Sequence, residues 1–275
     1  MSRKIFALSI ALILLLALST PALAITYGVP DDGKHPNVGS IVFYWSETGN
    51  LYQWCSGTLI YPNVFLTAAH CTRNLTYFMD TYKESAWWVS FEENLLDDET
   101  IYTGQIRTNP AYDGRRGQYG ASDTGDIAVI LLDGDLSGIT PAKLPTLGLL
   151  DGLKAEHKLK DTLFTAVGYG DQRETNRTAF QAIIYSSFMR NRADQEFLSL
   201  TDAWLSLSMN FATGNGGTCY GDSGGPHFIH LEGVEKNIVA SITVTGDTQC
   251  KALDKTYRMD TEAARNFLDE FVPLP

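Results

Sequence analysis

The sequence predicts an all-β fold built from antiparallel sheets, and two observations carry this prediction. After residue 25 the chain consists of short runs rich in β-branched and aromatic residues, separated by Gly, Asn, Asp and Pro. No helical pattern separates one run from the next, which favours antiparallel sandwiches or barrels over a parallel sheet. The clearest runs cover residues 38–45, 58–68, 87–91, 127–132, 163–169 and 238–244.

The single helix that the sequence predicts lies near the C-terminus. Four apolar residues there follow the i, i+3, i+4, i+7 spacing of one helix face: Ala264, Phe267, Leu268 and Phe271. Asp260 precedes them as the candidate N-cap. We expect a short helix that docks on the sheets and carries no chemistry.

The first 24 residues have the pattern of a secretory signal peptide. Arg3 and Lys4 form a basic start, residues 5–18 are apolar at all but one position, and the segment ends in Ala22-Leu23-Ala24. The apolar run is shorter than the roughly 20 residues that span a bilayer, so we expect cleavage after Ala24 rather than a retained anchor. The mature chain would be secreted, to the extracellular space or the periplasm.

The mature chain is acidic. Without Arg3 and Lys4 it has 19 basic and 32 acidic side chains, a net charge of −13. This charge disfavours nucleic acid or an anionic membrane as a partner. The acid-rich residues 92–99 lack the ligand spacing of a calcium loop, and we interpret them as a solvated turn.

Four cysteines follow the signal segment: Cys55, Cys71, Cys219 and Cys250. An even number in a secreted chain predicts two disulfides, and the residues alone allow three pairings. Their spacings are not those of a zinc site, so we expect no metal, and no motif indicates a cofactor.

A candidate nucleophile lies in the segment Gly221-Asp222-Ser223-Gly224-Gly225-Pro226. Glycines permit backbone conformations closed to other residues and let a substrate approach closely. A serine on such a turn can expose its hydroxyl beside free backbone N–H groups, which stabilise an oxyanion. A plain glycine-rich turn is the alternative for this segment taken by itself.

A nucleophilic serine needs a base, and the base needs an orienting acid. Of five histidines, only His70 has a distinctive setting, at the end of an apolar β run in Thr67-Ala68-Ala69-His70-Cys71. Asp126 opens the apolar run 127–132, where we expect an ordered and partly buried carboxylate. Asp123 is a nearby competitor with polar neighbours, and we interpret it as a loop residue.

These three segments resemble the motifs of the chymotrypsin/trypsin family of serine endopeptidases. Residues 67–71 match its histidine motif, residues 125–132 resemble its aspartate motif, and residues 221–226 match its serine motif at all six positions. The order His, Asp, Ser is also that of the family. Weaker similarity at residues 25–28, 109–113 and 168–170 extends the resemblance over almost the whole mature chain.

The serine segment also fits the nucleophile elbow of an α/β-hydrolase. Those enzymes place the acid and then the histidine after the serine. Only His227 and His230 follow Ser223, and no Asp or Glu lies between Ser223 and either histidine. The sequence therefore argues against that fold.

The resemblance implies two antiparallel six-stranded β-barrels with a C-terminal α-helix. The first barrel would cover residues 25–145 and the second residues 146–275. It also implies the disulfides Cys55–Cys71 and Cys219–Cys250. The expected activity is hydrolysis of peptide bonds in proteins or peptides by a monomer.

By the same resemblance, Ser223 is the nucleophile, His70 its base and Asp126 the orienting acid. The N–H groups of Gly221 and Ser223 would form the oxyanion hole. A catalytically inactive relative acting as a secreted binding module is the alternative function.

The resemblance further implies an activation pair. Asp222 would bind the α-amino group of Ile25, which removal of the signal segment exposes directly. The substrate pocket would be lined by Gly217, Thr218 and Gly246. Because Gly217 stands where trypsin-like enzymes carry an aspartate, a preference for Arg or Lys is not expected.

Overall fold

The computed structural model describes residues 25–97, 100–114, 122–134, 136–174 and 183–275, so the predicted signal segment lies outside the described residues. In chain order the strands are β1 Val29–Pro30, β2 Val38–Trp45, β3 Asn50–Tyr61, β4 Val64–Thr67, β5 Ala86–Ser90, β6 Gly104–Thr108, β7 Ala128–Leu132, β8 Leu163–Gly168, β9 Gln172–Glu174, β10 Ile183–Tyr185, β11 Asn191–Leu200, β12 Trp204–Ser208, β13 Pro226–Leu231, β14 Val234–Gly246 and β15 Leu253–Arg258.

These strands form two large antiparallel sheets and the two-stranded ladder β9–β10, which confirms the predicted all-β architecture. The first has the order β5–β2–β3–β4–β7–β6, and it curls until an isolated bridge joins Val89 to Tyr102 near its two edges. The second has the order β11–β12–β15–β14–β13–β8, and β8 pairs again with β11 to close a six-stranded barrel. The short strand β1 adds to β11, so the N-terminal segment crosses to the second barrel.

The apolar interiors of the two sheets are joined. One buried cluster contains Leu59 and Phe65 of the first sheet together with Phe228 of the second, and a smaller cluster within the second sheet contains Phe164 and Ile229. Burial alternates along residues 191–196 of β11, as expected when one face of a strand lines a barrel interior.

Within the described ranges, three α-helices flank the sheets: α1 Ala69–Thr81, α2 Leu149–Ala155 and α3 Glu262–Leu268. The expectation that no helix separates the strands was wrong for α1 and α2. Helix α3 is the predicted one, and its apolar face is buried. Its N-cap is Thr261, whose side chain accepts the Ala264 N–H, whereas Asp260 accepts the N–H of Leu150 at 2.8 Å.

A buried ionic network ties the N-terminal segment to both barrels. The guanidinium of Arg190 donates to Asp31 at 3.0 Å and to the carbonyl of Phe91 at 2.9 Å. His35 bridges two carboxylates, with Nδ1 on Asp31 and Nε2 on Glu235 at 2.8 Å. Because these groups come from both barrels, the network links the two barrels to each other.

Candidate active site

His70 lies in the first turn of α1, directly after β4, and is held by a carboxylate on two sides. Its backbone N–H donates to Asp126 Oδ1 at 2.9 Å, and its Nδ1 lies 2.9 Å from Asp126 Oδ2. Asp126 is fully buried and His70 almost so. A carboxylate facing Nδ1 favours the tautomer with the proton on Nδ1, which leaves the lone pair of Nε2 free to accept a proton.

Asp126 is positioned by the loop before β7. Gly125 has a φ of +65°, a conformation that favours glycine, and its carbonyl accepts a hydrogen bond from Asn109 at 3.0 Å. Asn109 also accepts the Ala111 N–H at 3.0 Å. Asp123, the competitor in the sequence, instead accepts the hydroxyl of Tyr257 at 2.8 Å.

Ser223 lies on a tight turn between two glycines with positive φ, Gly221 at +93° and Gly224 at +80°. This turn packs against the strand that leads to His70. A Cβ on Gly224 would lie 2.2 Å from Thr67 Oγ1 and 2.7 Å from the nitrogen of Ala68. The glycine is therefore required by the close approach of the two segments.

The two barrels meet at this turn. The carbonyl of Ser223 accepts the N–H of Ser56 at 2.9 Å, and it lies 3.7 Å from the sulfur of Cys71, the neighbour of His70. Within the described residues no hydrogen bond joins Ser223 Oγ to His70 Nε2. In substrate-free enzymes such catalytic contacts are often long and tighten when substrate binds.

Two backbone N–H groups on the serine turn have no acceptor in the part of the chain that the structure describes. The described residues provide no acceptor for the N–H of Gly221 or of Ser223. Each carbonyl on the opposite side of these peptides is fixed, since Tyr220 O accepts from Asp171 at 2.6 Å and Asp222 O accepts from Gly225 at 2.8 Å. Because a trans peptide points its N–H away from its carbonyl, both N–H directions are fixed as well.

Two residues that the sequence did not single out support this turn. Gln53 Nε2 donates to the Gly221 carbonyl at 2.9 Å, and Ser56 Oγ donates to the same oxygen at 3.1 Å. Ser56 Oγ also accepts the N–H of Tyr169 at 3.1 Å. Neither has a sequence signal, because each acts through a backbone carbonyl about 165 residues away along the chain.

Asp222 points into the protein rather than to the cleft. It is fully buried and accepts the N–H groups of Gly170 at 2.8 Å and of Cys219 at 2.9 Å. Burial raises the pKa of Asp222 to about 7, against the two backbone hydrogen bonds that lower it; the neighbouring Asp254 raises it further. No cation contacts this carboxylate within the described part of the chain.

The N-terminal segment is docked on Gly216 and Gly217, which precede Asp222 in the chain. Ile25 and Thr26 are fully buried, and the carbonyl of Thr26 accepts the N–H of Gly217 at 2.8 Å. No ion pair joins Ile25 to Asp222 among the described residues, since in the uncleaved chain the Ile25 nitrogen belongs to a peptide bond. Ile25 has a φ of +62°, which is rare for a β-branched residue.

A cavity of about 90 Å³ opens beside Ser223. Thr218 and Gly246 line it, together with Tyr220, Asp247 and other residues of the same two segments, and its use as the substrate pocket stays a prediction. Gly217 was expected there too, but it is not among the lining residues. A Cβ on Gly217 would lie 2.2 Å from Cγ of Met209, so the Met209 side chain covers this position.

Both disulfides implied by the resemblance are present. Cys55–Cys71 joins β3 to the first turn of α1 next to His70, and Cys219–Cys250 joins the two walls of the cavity. The sulfurs of Cys55 and Cys71 are consumed by this bond, so their proximity to His70 does not make a metal site.

Comparison with known proteins identifies the family of this chain. The profile of the family described as Trypsin matches residues 31–266. The chain belongs to the trypsin family. Among curated proteins, coagulation factor XII of Cavia porcellus is 27% identical over 233 residues, which cover 79% of this chain and 35% of that protein. A CLIP domain-containing serine protease B15 of Anopheles gambiae is 25% identical over 214 residues, 73% of this chain and 56% of that protein.

This trypsin-family chain thus spans only about a third to a half of the length of these relatives. Its relatives suggest a serine protease, and peptide-bond hydrolysis is the coarse function that family membership supports. Within the described residues no helix is long and apolar enough to cross a membrane.

Proposed function

We propose that this chain is a secreted serine endopeptidase that hydrolyses peptide bonds through an acyl-enzyme on Ser223. The observation that carries the proposal is the buried pair of His70 and Asp126, joined at 2.9 Å, directly beside the glycine-flanked turn of Ser223. The proposal needs no cofactor, because nucleophile, base and oxyanion donors all come from the chain itself.

In the proposed mechanism Ser223 Oγ attacks the carbonyl carbon of the substrate, and His70 Nε2 accepts the hydroxyl proton. Asp126 holds the ring in the required tautomer and stabilises the imidazolium that forms. His70 then gives the proton to the leaving amine, so that the peptide bond breaks and the acyl group stays on Ser223. Water deacylates the serine by the same steps in reverse order.

The oxyanion of the tetrahedral intermediate would bind the N–H groups of Gly221 and Ser223. This assignment is supported by the fixed orientation of both peptides. It is also supported by the lack of any acceptor for these two N–H groups among the described residues. Preorganised donors of this kind account for about 10²- to 10³-fold each in turnover.

Activation would follow signal removal. Cleavage after Ala24 frees the α-amino group of Ile25, and the positively charged amine pairs with the buried carboxylate of Asp222. The raised pKa of Asp222 supports this role, because a buried carboxylate without a cation is strongly disfavoured in its charged form. Cleavage would also remove the constraint on φ of Ile25.

The function is tested by hydrolysis of an unfolded protein substrate by the secreted chain, with Ser223→Ala as the matched control. We expect fragments from the wild type and none from the variant. N-terminal sequencing of the active material should read Ile25 first. A folded wild-type chain that begins at Ile25 and cleaves nothing would favour the inactive binding module instead.

A further inference from the structure

The segment that carries Asp126 is tied to the second barrel by two aromatic side chains. Tyr257 of β15 donates its phenol to Asp123 Oδ1 at 2.8 Å. Trp204 of β12 donates its indole N–H to the carbonyl of Ser122 at 3.1 Å. Because Asp126 leads into a strand of the first barrel, both hydrogen bonds cross from one barrel to the other.

Asp123 carries this contact to the backbone just before Asp126. The carboxylate oxygen that accepts the phenol also accepts the N–H of Gly125 at 2.8 Å. Gly125 precedes Asp126 directly, so its backbone conformation sets the direction in which the Asp126 side chain leaves the chain. The bond from Tyr257 therefore acts on that direction through a single carboxylate oxygen.

The Asp126 carboxylate has little other support. Among the described residues, both of its hydrogen bonds come from His70, one from the backbone N–H and one from Nδ1. Only the backbone N–H can serve as a fixed anchor, because the ring is the group that has to be oriented. One anchor leaves the carboxylate able to turn about it, so its orientation depends on the backbone of residues 122–126.

Tyr257 is suited to hold this segment. It is fully buried, and its ring meets that of Trp204 edge to face, with the ring centroids 5.6 Å apart. Burial raises the pKa of Tyr257, and the carboxylates of Asp123 and Asp126 raise it further, so the phenol keeps the proton that it donates. A buried donor on a packed ring holds its acceptor in one place.

We propose that Tyr257 is a positioning residue for Asp126. Its phenol holds residues 122–125 from the second barrel, and this contact keeps the Asp126 carboxylate on Nδ1 of His70. The expected effect on rate rests on the proposed peptidase function, whereas the expected geometry at His70 does not. The docking of the two barrels thus sets the orientation of the catalytic base.

Substitutions at the two ends of this hydrogen bond make distinct predictions. Tyr257→Phe keeps the buried ring, and it should lower kcat by about tenfold with KM unchanged, because a small displacement of an orienting group costs rate rather than binding. Asp123→Asn keeps an oxygen acceptor and should stay within about threefold of the wild type. In Asp123→Ala, which has no acceptor, the addition of Tyr257→Phe should cause no further loss.

Tyr169→Phe is the matched control. It removes the hydroxyl of another fully buried tyrosine, which donates to the carbonyls of Val38 and Glu92 at 3.2 and 2.7 Å rather than to residues 122–126. Both variants should lose stability in urea denaturation. Only Tyr257→Phe should lose turnover.

A second measurement needs no substrate. In the isotope-labelled mature chain with Ser223→Ala, NMR detects the proton on Nδ1 of His70, which is assigned by its absence in His70→Gln. We expect a resonance far downfield, as for a proton bonded to a carboxylate. It should move upfield and exchange faster with water when Tyr257→Phe is added, and Tyr169→Phe should leave it in place.

The inference is wrong if Tyr257→Phe leaves the His70 resonance unchanged, or if it lowers kcat no more than Tyr169→Phe does. A rise in KM at constant kcat would also overturn it, because Tyr257 would then act on binding. The proposed function fails separately if an alkyl fluorophosphonate does not modify Ser223 in the folded wild type. In that case the His70 resonance alone decides whether Tyr257 positions Asp126.

Discussion

Gly170 donates its backbone N–H to the carboxylate of Asp222 at 2.8 Å, and the two residues are so close that a Cβ on Gly170 would lie 2.4 Å from that carboxylate. Gly168, two residues earlier, has the same relation at 2.2 Å. Gly168 and Gly170 of the second barrel thus pack so closely against the buried carboxylate that a side chain at either position would clash with it. This contact explains why a carboxylate that is fully buried beside other acidic residues is still tolerated.

The buried state of Asp222 predicts a pH-dependent stability of the uncleaved chain. Its pKa is about 7 in the folded chain against 3.8 normally, so between these values the folded state holds a proton that the unfolded state has lost. The free energy of unfolding should therefore fall as pH rises from about 4 to about 7. Chemical denaturation of the Ser223→Ala chain measures it, and Asp222→Asn in that background should lack this part of the fall.

The chain that begins at Ile25 should also lack this fall, because the α-amino cation neutralises Asp222. Its activity should decline at alkaline pH as the amine loses its proton, above the normal α-amino pKa of about 8. A stability profile that does not differ between the two chain forms would contradict the pairing of Ile25 with Asp222.

His35 predicts a second pH effect on stability. It comes from a base that is held in its charged form, whereas the first comes from a buried acid. Burial lowers the pKa of His35, but hydrogen bonds and charges from Asp31 and Glu235 outweigh it and raise this pKa. Burial would raise the pKa of Asp31, but hydrogen bonds from His35 and the charges of His35 and Arg190 in turn outweigh it and lower this pKa to about 2. Charged His35 therefore contributes stability that is fully present below the unfolded pKa of about 6.5 and lost as pH rises through the raised value.

His35→Gln should accordingly cost more stability at pH 6 than at pH 9, as measured by urea denaturation. Arg190 and His230 also face these carboxylates and remain in the variant. His157→Asn is the control, because His157 is exposed and its φ of +59° is tolerated by Asn. Equal losses at both pH values would contradict the charged bridge.

Asp126→Asn should lower turnover by about 10⁴-fold, as the same change does in the trypsin family. The amide can no longer hold His70 in the tautomer with a free Nε2. Steady-state kinetics on a peptide substrate measure the loss. The variant should keep the circular dichroism spectrum of the wild type, and a variant with nearly full turnover would remove Asp126 from the mechanism.

We expect substitutions of Ser56 and Gln53 to change turnover, although the proposed mechanism gives neither residue a contact with the substrate. Ser56→Ala removes the hydrogen bond to the Gly221 carbonyl, and Gln53→Leu removes the other one to the same oxygen. Each should lower kcat by roughly tenfold with KM little changed, because the Gly221–Asp222 peptide, which links the two oxyanion donors, loses one of its two supports. Kinetics in which KM rises and kcat is constant would show that these residues act on binding instead.

The sequence predicted the architecture because alternation, turn residues and the helix spacing around Phe267 are local signals. It missed α1, whose residues have no strong helical period and follow a strand directly. It also misassigned the N-cap of α3, since Asp260 and Thr261 are both good caps and only tertiary contacts draw Asp260 to Leu150.

The candidate site shows the same limit. Motifs indicated His70, Asp126 and Ser223, because each lies in a distinctive local sequence. The support from Gln53 and Ser56, and the cover of Met209 over Gly217, depend on the relative position of strands distant in the chain. No local pattern predicts such contacts.

Covalent modification of Ser223 tests the central claim most directly. The mature chain is treated with an alkyl fluorophosphonate, and the adduct is located by peptide mass spectrometry. We expect one adduct, on Ser223, absent in Ser223→Ala and formed far more slowly in His70→Ala. A folded chain beginning at Ile25 that forms no adduct, or forms it as fast without His70, would contradict the account.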